Sequence, residues 1–371
     1  MKIKPVIDEK DKLTIVQKLG YGSGDIFGGG AMIIVGFMYL FFLTDVIKLA
    51  PSLAGIVILI SKMWDAVNDP LMGILSDRTK TRFGRRRPYF LLGIFFIVIS
   101  MILLWYPVNF KSELYRFAFV FFSYLFFSTV ITMVMIPYNA LASELTGDYN
   151  ERTSLTAFRI FFSSASSLIC AVLPMEIVKR SADVRQGYIT MGLVFGIFFA
   201  LPFITTFLFT KEKSEFQKLK PKLDLRETFI KLFTIPSFVR ILTMFLFSFL
   251  AMDVMMSVMI YFMTYYLGRG NESDFVFGTL LVVQIISLPF YSFLSKKTGK
   301  RNAFLAAGSA WVMILLGSLL IKPNNPPSFI YILAGLMGFA SGGIVIMIYA
   351  IFPDMPDIYE LYTGKRREGT Y

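Results

Sequence analysis

The chain has 371 residues, of which 56% are hydrophobic, 16% aromatic and only 17% charged. A soluble domain carries about 25% charged residues. This balance, with a mean hydropathy of +0.64, excludes most soluble enzymes and argues for a polytopic membrane protein. There is no histidine and a single cysteine, Cys170. Disulfides, Cys/His zinc sites, Ser-His-Asp triads and haem attachment are therefore excluded. The net charge of +12 comes from basic residues in short loops between apolar stretches, which speaks against nucleic acid as a partner.

Apolar stretches of about 20 residues predict ten spans: residues 26–43, 53–75, 89–106, 117–141, 155–177, 188–209, 239–266, 275–293, 303–321 and 329–352. All are expected to be helices, because a backbone in hydrocarbon must satisfy its own hydrogen bonds. The first 20 residues are polar and charged, so no cleaved signal peptide is expected and the first span acts as the insertion signal. Lys and Arg are unequally divided. The N-terminus, the tail and the loops after the second, fourth, sixth and eighth spans carry 27, and the alternate loops carry seven. Positive residues mark the cytoplasmic side, which predicts a cytoplasmic N-terminus.

The basic segment 211–238 separates six spans from four and reads as a linker. The expected organisation is a six-helix bundle over residues 1–210, this linker, and an incomplete bundle over 239–371. A weak internal repeat supports two halves. Gly-containing basic turns follow the second span (Ser76 to Arg87) and the eighth (Ser295 to Arg301).

The second span holds the most informative residues, Lys62-Met63-Trp64-Asp65-Ala66-Val67-Asn68-Asp69-Pro70. Lys62, Asp65 and Asp69 project from one helix face. Asp65 lies near mid-span, where a carboxylate costs about 2.5–3.5 kcal/mol on insertion scales. A cation or proton site meets that cost, because two carboxylates plus hydroxyls suit a hard ion. The structural alternative is a buried Lys62–Asp65 pair that fixes helix register. Arg159, early in the fifth span, is read either as a ligand for a carboxylate or sugar hydroxyls or as a snorkelling residue. Asp253, in the seventh span, is read either as a site residue or as a locally hydrogen-bonded one. Trp64 and Tyr138 lie at mid-span depth, where they either stack on a sugar ring or pack. The glycines at Gly20, Gly24 and Gly28, and at Gly338 and Gly342, read as close helix packing.

Several runs together carry a family resemblance: Gly20 to Asp25, Phe42 to Val46, Trp64 to Gly73, Asp77 to Thr79 with Arg82 to Pro88, Ile136 to Leu141 leading to Glu144, Asp148 to Thr153, and Gly364 to Thr370. On these the chain resembles the glycoside–pentoside–hexuronide:cation symporters, the melibiose permease family of the major facilitator superfamily. The resemblance implies an all-α membrane fold of twelve helices in two bundles, of which ten are present and the C-terminal two are missing. It implies sugar transport by alternating access, coupled to Na⁺, Li⁺ or H⁺, with no cofactor, in the plasma membrane and as a monomer.

Residue by residue, the resemblance places the cation at Asp65, Asp69 and Thr132. It places the substrate near Arg159, with Trp64 and Asn139 beside these positions; Lys62, Tyr138 and Asp253 are further candidates from their place in the spans. Asp25, Asp77, Arg78, Arg85, Glu144 and Arg152 fall in the gating and loop motifs. The chain departs from the family where Gly29 and Met135 replace expected aspartates and where Lys62 replaces an arginine, a change that loses the planar fork. It also ends at Tyr371, within a loop expected to lead into an eleventh helix. Two alternatives stay open: a related facilitator for a lipid-like or other organic solute, and a truncated, inactive product. An enzyme is not expected, since only carboxylate chemistry is left and its carboxylates lie at mid-membrane depth.

Overall fold

The computed structural model describes residues 12–146, 149–212 and 236–351. The tail motif Gly364 to Thr370 and most of the expected linker lie outside the described residues. Eleven α-helices are described: α1 (Ile15–Ser23), α2 (Asp25–Ile34), α3 (Pro51–Arg78), α4 (Arg87–Leu104), α5 (Glu113–Leu145), α6 (Tyr149–Arg180), α7 (Val184–Phe209), α8 (Pro236–Tyr261), α9 (Ser273–Thr298), α10 (Lys300–Gly317) and α11 (Pro327–Ile351). Among the described residues the only extended pairing is an isolated bridge between Thr81 and Gly84. The chain falls into two compact units, Met1–Leu219 and Lys220–Tyr371.

Eight membrane-length helical segments among the described residues are long and apolar enough to span a bilayer on length and composition alone. Two of the ten spans expected from sequence fall short of that measure for identifiable reasons. The first is α-helical only as far as Ile34, where α2 ends, and continues through two wide π turns, Val35–Tyr39 and Phe42–Val46. The second, α3, is too polar through its middle, where Lys62, Asp65, Asn68 and Asp69 lie. The helices also outrun the apolar stretches: α6 begins at Tyr149, before the apolar run at 155.

Local signals set several ends. Thr14 and Gln17 form a reciprocal capping box at the start of α1, which satisfies two otherwise orphaned amides. Pro51 opens α3 at a position where its missing N–H costs nothing. Asp183 caps α7.

In the first unit α3 packs on α5, α4 packs on α5 and α7, and α1 and α2 pack on α6. Small residues permit the closest approaches. A Cβ on Gly20 would stand 3.2 Å from the Thr205 carbonyl oxygen on α7. In the second unit α9 and α10 pack on α11. There a Cβ on Gly342 would meet the Gln284 carbonyl oxygen at 2.6 Å. These contacts are the packing that the glycine spacing predicts.

The internal repeat is clearest where the first membrane helix of each unit ends. The π turns Phe42–Val46 and Phe262–Tyr266 lie 220 residues apart. In the first, Ile47 N–H donates to Phe42 O and Leu49 N–H to Leu43 O; in the second, Leu267 N–H donates to Phe262 O and Arg269 N–H to Met263 O. The residue that turns the chain has positive φ in both copies, 61° at Lys48 and 67° at Gly268. The same offset relates the ends of α3 and α9, Arg78 and Thr298. It sets Ile285 and Pro289 opposite Asp65 and Asp69 in sequence, so the acidic pair belongs to the first unit alone.

Candidate functional site

The site forms where α3 and α5 lie side by side. Asp65 and Asp69 are one turn apart on α3, and Ser128 and Thr132 are one turn apart on α5, a rise of about 6 Å in each case. Ser128 donates its hydroxyl to Asp65 Oδ1, and Thr132 donates to Asp69 Oδ1 at 2.7 Å. The two pairs have the same sequence separation of 63 residues. The helices therefore run in the same direction and keep register over a turn, giving each carboxylate its own hydroxyl. One residue from each pair, Trp64 Nε1 donates to Thr129 Oγ1 at 2.9 Å, and Thr129 donates to Leu125 O at 2.8 Å.

Asp65 and Asp69 are half-buried, and Ser128 and Thr132 are buried. Ser61, one turn before Asp65 on α3, is 1% exposed, and its hydroxyl has no hydrogen-bond partner. The amide nitrogen of Asn68 is likewise buried without a partner. Among the described residues no ion pair joins Lys62 to either carboxylate, and Lys62 is exposed. The sequence alternative of a Lys62–Asp65 pair is therefore replaced by a hydroxyl–carboxylate pair. Sequence reasoning missed Ser128 and Ser61. The signal for Ser128 was its position one turn before Thr132.

The candidate substrate residues divide. Arg159 Nε pairs with Asp25 Oδ2 at 3.0 Å, and its guanidinium lies 5.4 Å from the Tyr138 ring centre. Asp25, expected among the gating residues, is thus a buried partner of Arg159 at the start of α2. Tyr138 is fully buried and stacks on Tyr21 with ring centres 4.7 Å apart. Its hydroxyl donates to the Tyr21 carbonyl at 2.8 Å. With one face on Tyr21 and Arg159 nearby, its ring is packed, and the sugar-stacking alternative does not fit this conformation. Trp64 remains 38% exposed, and Asn139 is exposed. Asp253 is exposed on α8 of the second unit.

A second polar centre joins the loop between α3 and α4 to the ends of α5 and α7. Glu144, 3% exposed, accepts from Arg85 Nη2 at 2.7 Å and from Arg86 Nε at 3.0 Å. Arg86 also pairs with Asp77 and donates to Ser76 Oγ at 2.6 Å. Burial works against the charge on Arg85, and the Glu144 carboxylate outweighs it, so the Arg85 pKa lies above the ordinary guanidinium value. Glu212, another residue sequence reasoning missed, accepts from the backbone N–H groups of Arg85, Arg86 and Arg87 at 2.7–3.1 Å. A carboxylate at the positive end of α4 is favourable. Gly84 makes room for it with φ of 109°. Arg78 is exposed, and Arg152 donates to Thr146 O at 2.9 Å. Neither belongs to this centre.

Helices of membrane length, a repeat of the first helix ending and a half-buried acidic pair within a span are the marks of an integral membrane transporter. The fold agrees with that class. The solved D-xylose-proton symporter superposes with a TM-score of 0.63, covering 92% of this chain and 82% of that one at 15% identity. The chain belongs to the family described as MFS/sugar transport protein, which matches residues 20–371.

Relatives include the uncharacterized symporter YnaJ of Bacillus subtilis, 31% identical over 96% of this chain and 78% of that protein. The isoprimeverose transporter of Lactiplantibacillus pentosus is 24% identical over 97% of this chain and 76% of its own length. The sodium-dependent lysophosphatidylcholine symporter 1 of Gallus gallus is 24% identical over 97% and 74%.

Proposed function

We propose that the chain is a secondary active transporter that uses a monovalent cation gradient to accumulate a small sugar or glycoside, with Asp65 and Asp69 holding the cation. The observation that carries this reading is the register-matched set of two carboxylates and two hydroxyls between α3 and α5. Such a set offers four oxygen-bearing groups to a hard ion at a depth where a lone carboxylate is costly. The family description and the isoprimeverose transporter support a sugar as cargo. Cation loading neutralises the acidic pair and lowers the cost of moving it through a closed state, so ion and solute cross together.

Arg159 supplies donors for solute hydroxyls through the guanidinium face that Asp25 does not use, and Trp64 supplies an exposed ring. The Arg85–Arg86–Glu144 centre holds one end of the first unit shut. The basic loops support a cytoplasmic N-terminus, and the plasma membrane is the proposed location. Purified full-length chain in proteoliposomes tests the reading. Concentrative uptake of pentose, hexose or glycoside is expected under an inward Na⁺, Li⁺ or H⁺ gradient, and absence of uptake of the whole panel under every gradient contradicts it.

A second reading, a lipid-like cargo, is favoured by an apolar cavity of about 580 Å³ within the second unit, lined by residues such as Met255, Met259, Leu280, Trp311 and Met337. The relative that carries lysophosphatidylcholine supports it. Uptake of lysophosphatidylcholine in the same vesicles, without sugar uptake, selects this second cargo.

A further inference from the structure

We propose that Ser128 is a ligand of the coupling ion and makes the Asp65 half of the site prefer an alkali-metal ion to a proton, with Ser61 as its supporting oxygen. The proposal rests on the assignment of Asp65 and Asp69 to the coupling ion and goes further, to the residue that chooses the ion. Ser128 is 4% exposed, and its hydroxyl proton points to Asp65 Oδ1. Metal binding needs the opposite polarity, with a hydroxyl lone pair facing the ion and the proton sent elsewhere.

The same helix already displays that arrangement one residue along. Thr129 sends its proton back to the Leu125 carbonyl at 2.8 Å and presents a lone pair to Trp64 Nε1. A serine on a helix has the same route to the carbonyl four residues earlier, which for Ser128 belongs to Tyr124. One rotation about χ1 then turns Ser128 from a donor to Asp65 into a donor to the backbone with a free lone pair for a metal ion.

Ser61 is the second observation. Its hydroxyl is buried, has no partner, and lies one turn from Asp65 on α3. Buried polar groups are normally satisfied, and an oxygen ligand to an ion satisfies this one. A proton has no such need. It binds covalently to Asp65, and the acid then hydrogen-bonds to any one acceptor. Loss of the Ser128 oxygen therefore removes a metal ligand while leaving proton loading intact. Thr132 gives Asp69 its own hydroxyl, so Asp69 alone does not compensate at Asp65.

The test titrates the purified full chain with NaCl and with LiCl by calorimetry, at fixed pH, with choline chloride holding ionic strength constant. Ser128→Ala is expected to weaken Na⁺ and Li⁺ binding by ~10-fold or more, the scale seen when a ligand's environment is lost. Ser128→Thr, which keeps the hydroxyl, should stay within about threefold of the parent. Rescue by threonine separates ligation from packing.

If Ser128→Ala binds as the parent does while Asp65→Asn loses binding, the role of Ser128 is overturned and the acidic site stands. If Asp65→Asn and Asp69→Asn also bind as the parent does, the site assignment itself fails. Absence of saturable Na⁺ and Li⁺ binding in the parent chain overturns the preference for metal.

Discussion

Thr132 on α5 donates its hydroxyl to Asp69 on α3 across 2.7 Å. That bond, repeated one turn earlier by Ser128 and Asp65, keeps two acidic groups ordered inside a helix pair where apolar side chains would be less costly. On the proposed reading the arrangement gives ion coupling a physical basis, and it makes the threonine testable by itself.

Thr132→Val keeps the shape of the side chain and removes the oxygen. Ion-driven uptake in proteoliposomes is expected to fall by ~10-fold or more, the scale of losing a group that supports an ion ligand. Thr132→Ser should retain most of it, and initial rates at fixed gradient separate the two.

The Asp25–Arg159 pair is expected to behave as a coupled unit. Asp25 is 6% exposed, so Asp25→Ala strands the arginine and should cost about 3 kcal/mol, at the low end for a broken buried pair. The double variant with Arg159→Met should lose less than the sum of the single losses, by about 1–3 kcal/mol. Thermal unfolding of purified protein, followed by tryptophan emission, measures all four corners of the cycle.

Glu144 satisfies two guanidinium groups at once, whereas Arg78, exposed at the end of α3, takes no part in that centre. Glu144→Ala should therefore destabilise by about 3–5 kcal/mol and open the Arg85–Arg87 segment to trypsin. Arg78→Ala should stay within about 0.5 kcal/mol. Melting curves and a timed digest check both statements.

Glycine positions give a packing test. Gly22→Ala drives a methyl group toward the Phe158 backbone at 3.0 Å and should cost about 1–3 kcal/mol as overpacking. Gly55 on α3 has open space where its Cβ would stand. Gly55→Ala should stabilise by up to about 1 kcal/mol through helix propensity. Unfolding midpoints of the two variants should move in opposite directions.

The parts of this molecule readable from sequence are those with a local cause. Hydropathy locates most spans, because a membrane demands about 20 apolar residues in a row. It weakens on α3, since the residues that make α3 interesting are the ones that lower its hydropathy. Asp65 and Asp69 stand out because charge in a span is rare.

Their partners do not stand out. Ser128 and Ser61 are ordinary residues for a membrane helix, and only the parallel register of α3 and α5 gives them meaning. Sequence neighbourhood places Asp25 in a loop motif, and its pairing with Arg159, far along the chain, is visible only in the structure. The sequence leaves Tyr138 between stacking on a sugar and packing, and its stack on Tyr21 depends on a contact 117 residues away. Glu212 lies next to a basic segment that dominates the local charge, and its capping of α4 depends on a turn at Gly84 that spacing alone does not reveal.

The most direct test of the central claim compares uphill with downhill movement of the transported solute in proteoliposomes containing the parent chain, Asp65→Asn or Asp69→Asn. The parent is expected to accumulate solute against its gradient when Na⁺, Li⁺ or H⁺ is supplied outside, and either substitution is expected to abolish accumulation while equilibrating flux persists. Accumulation by both variants at the parent level would contradict that claim.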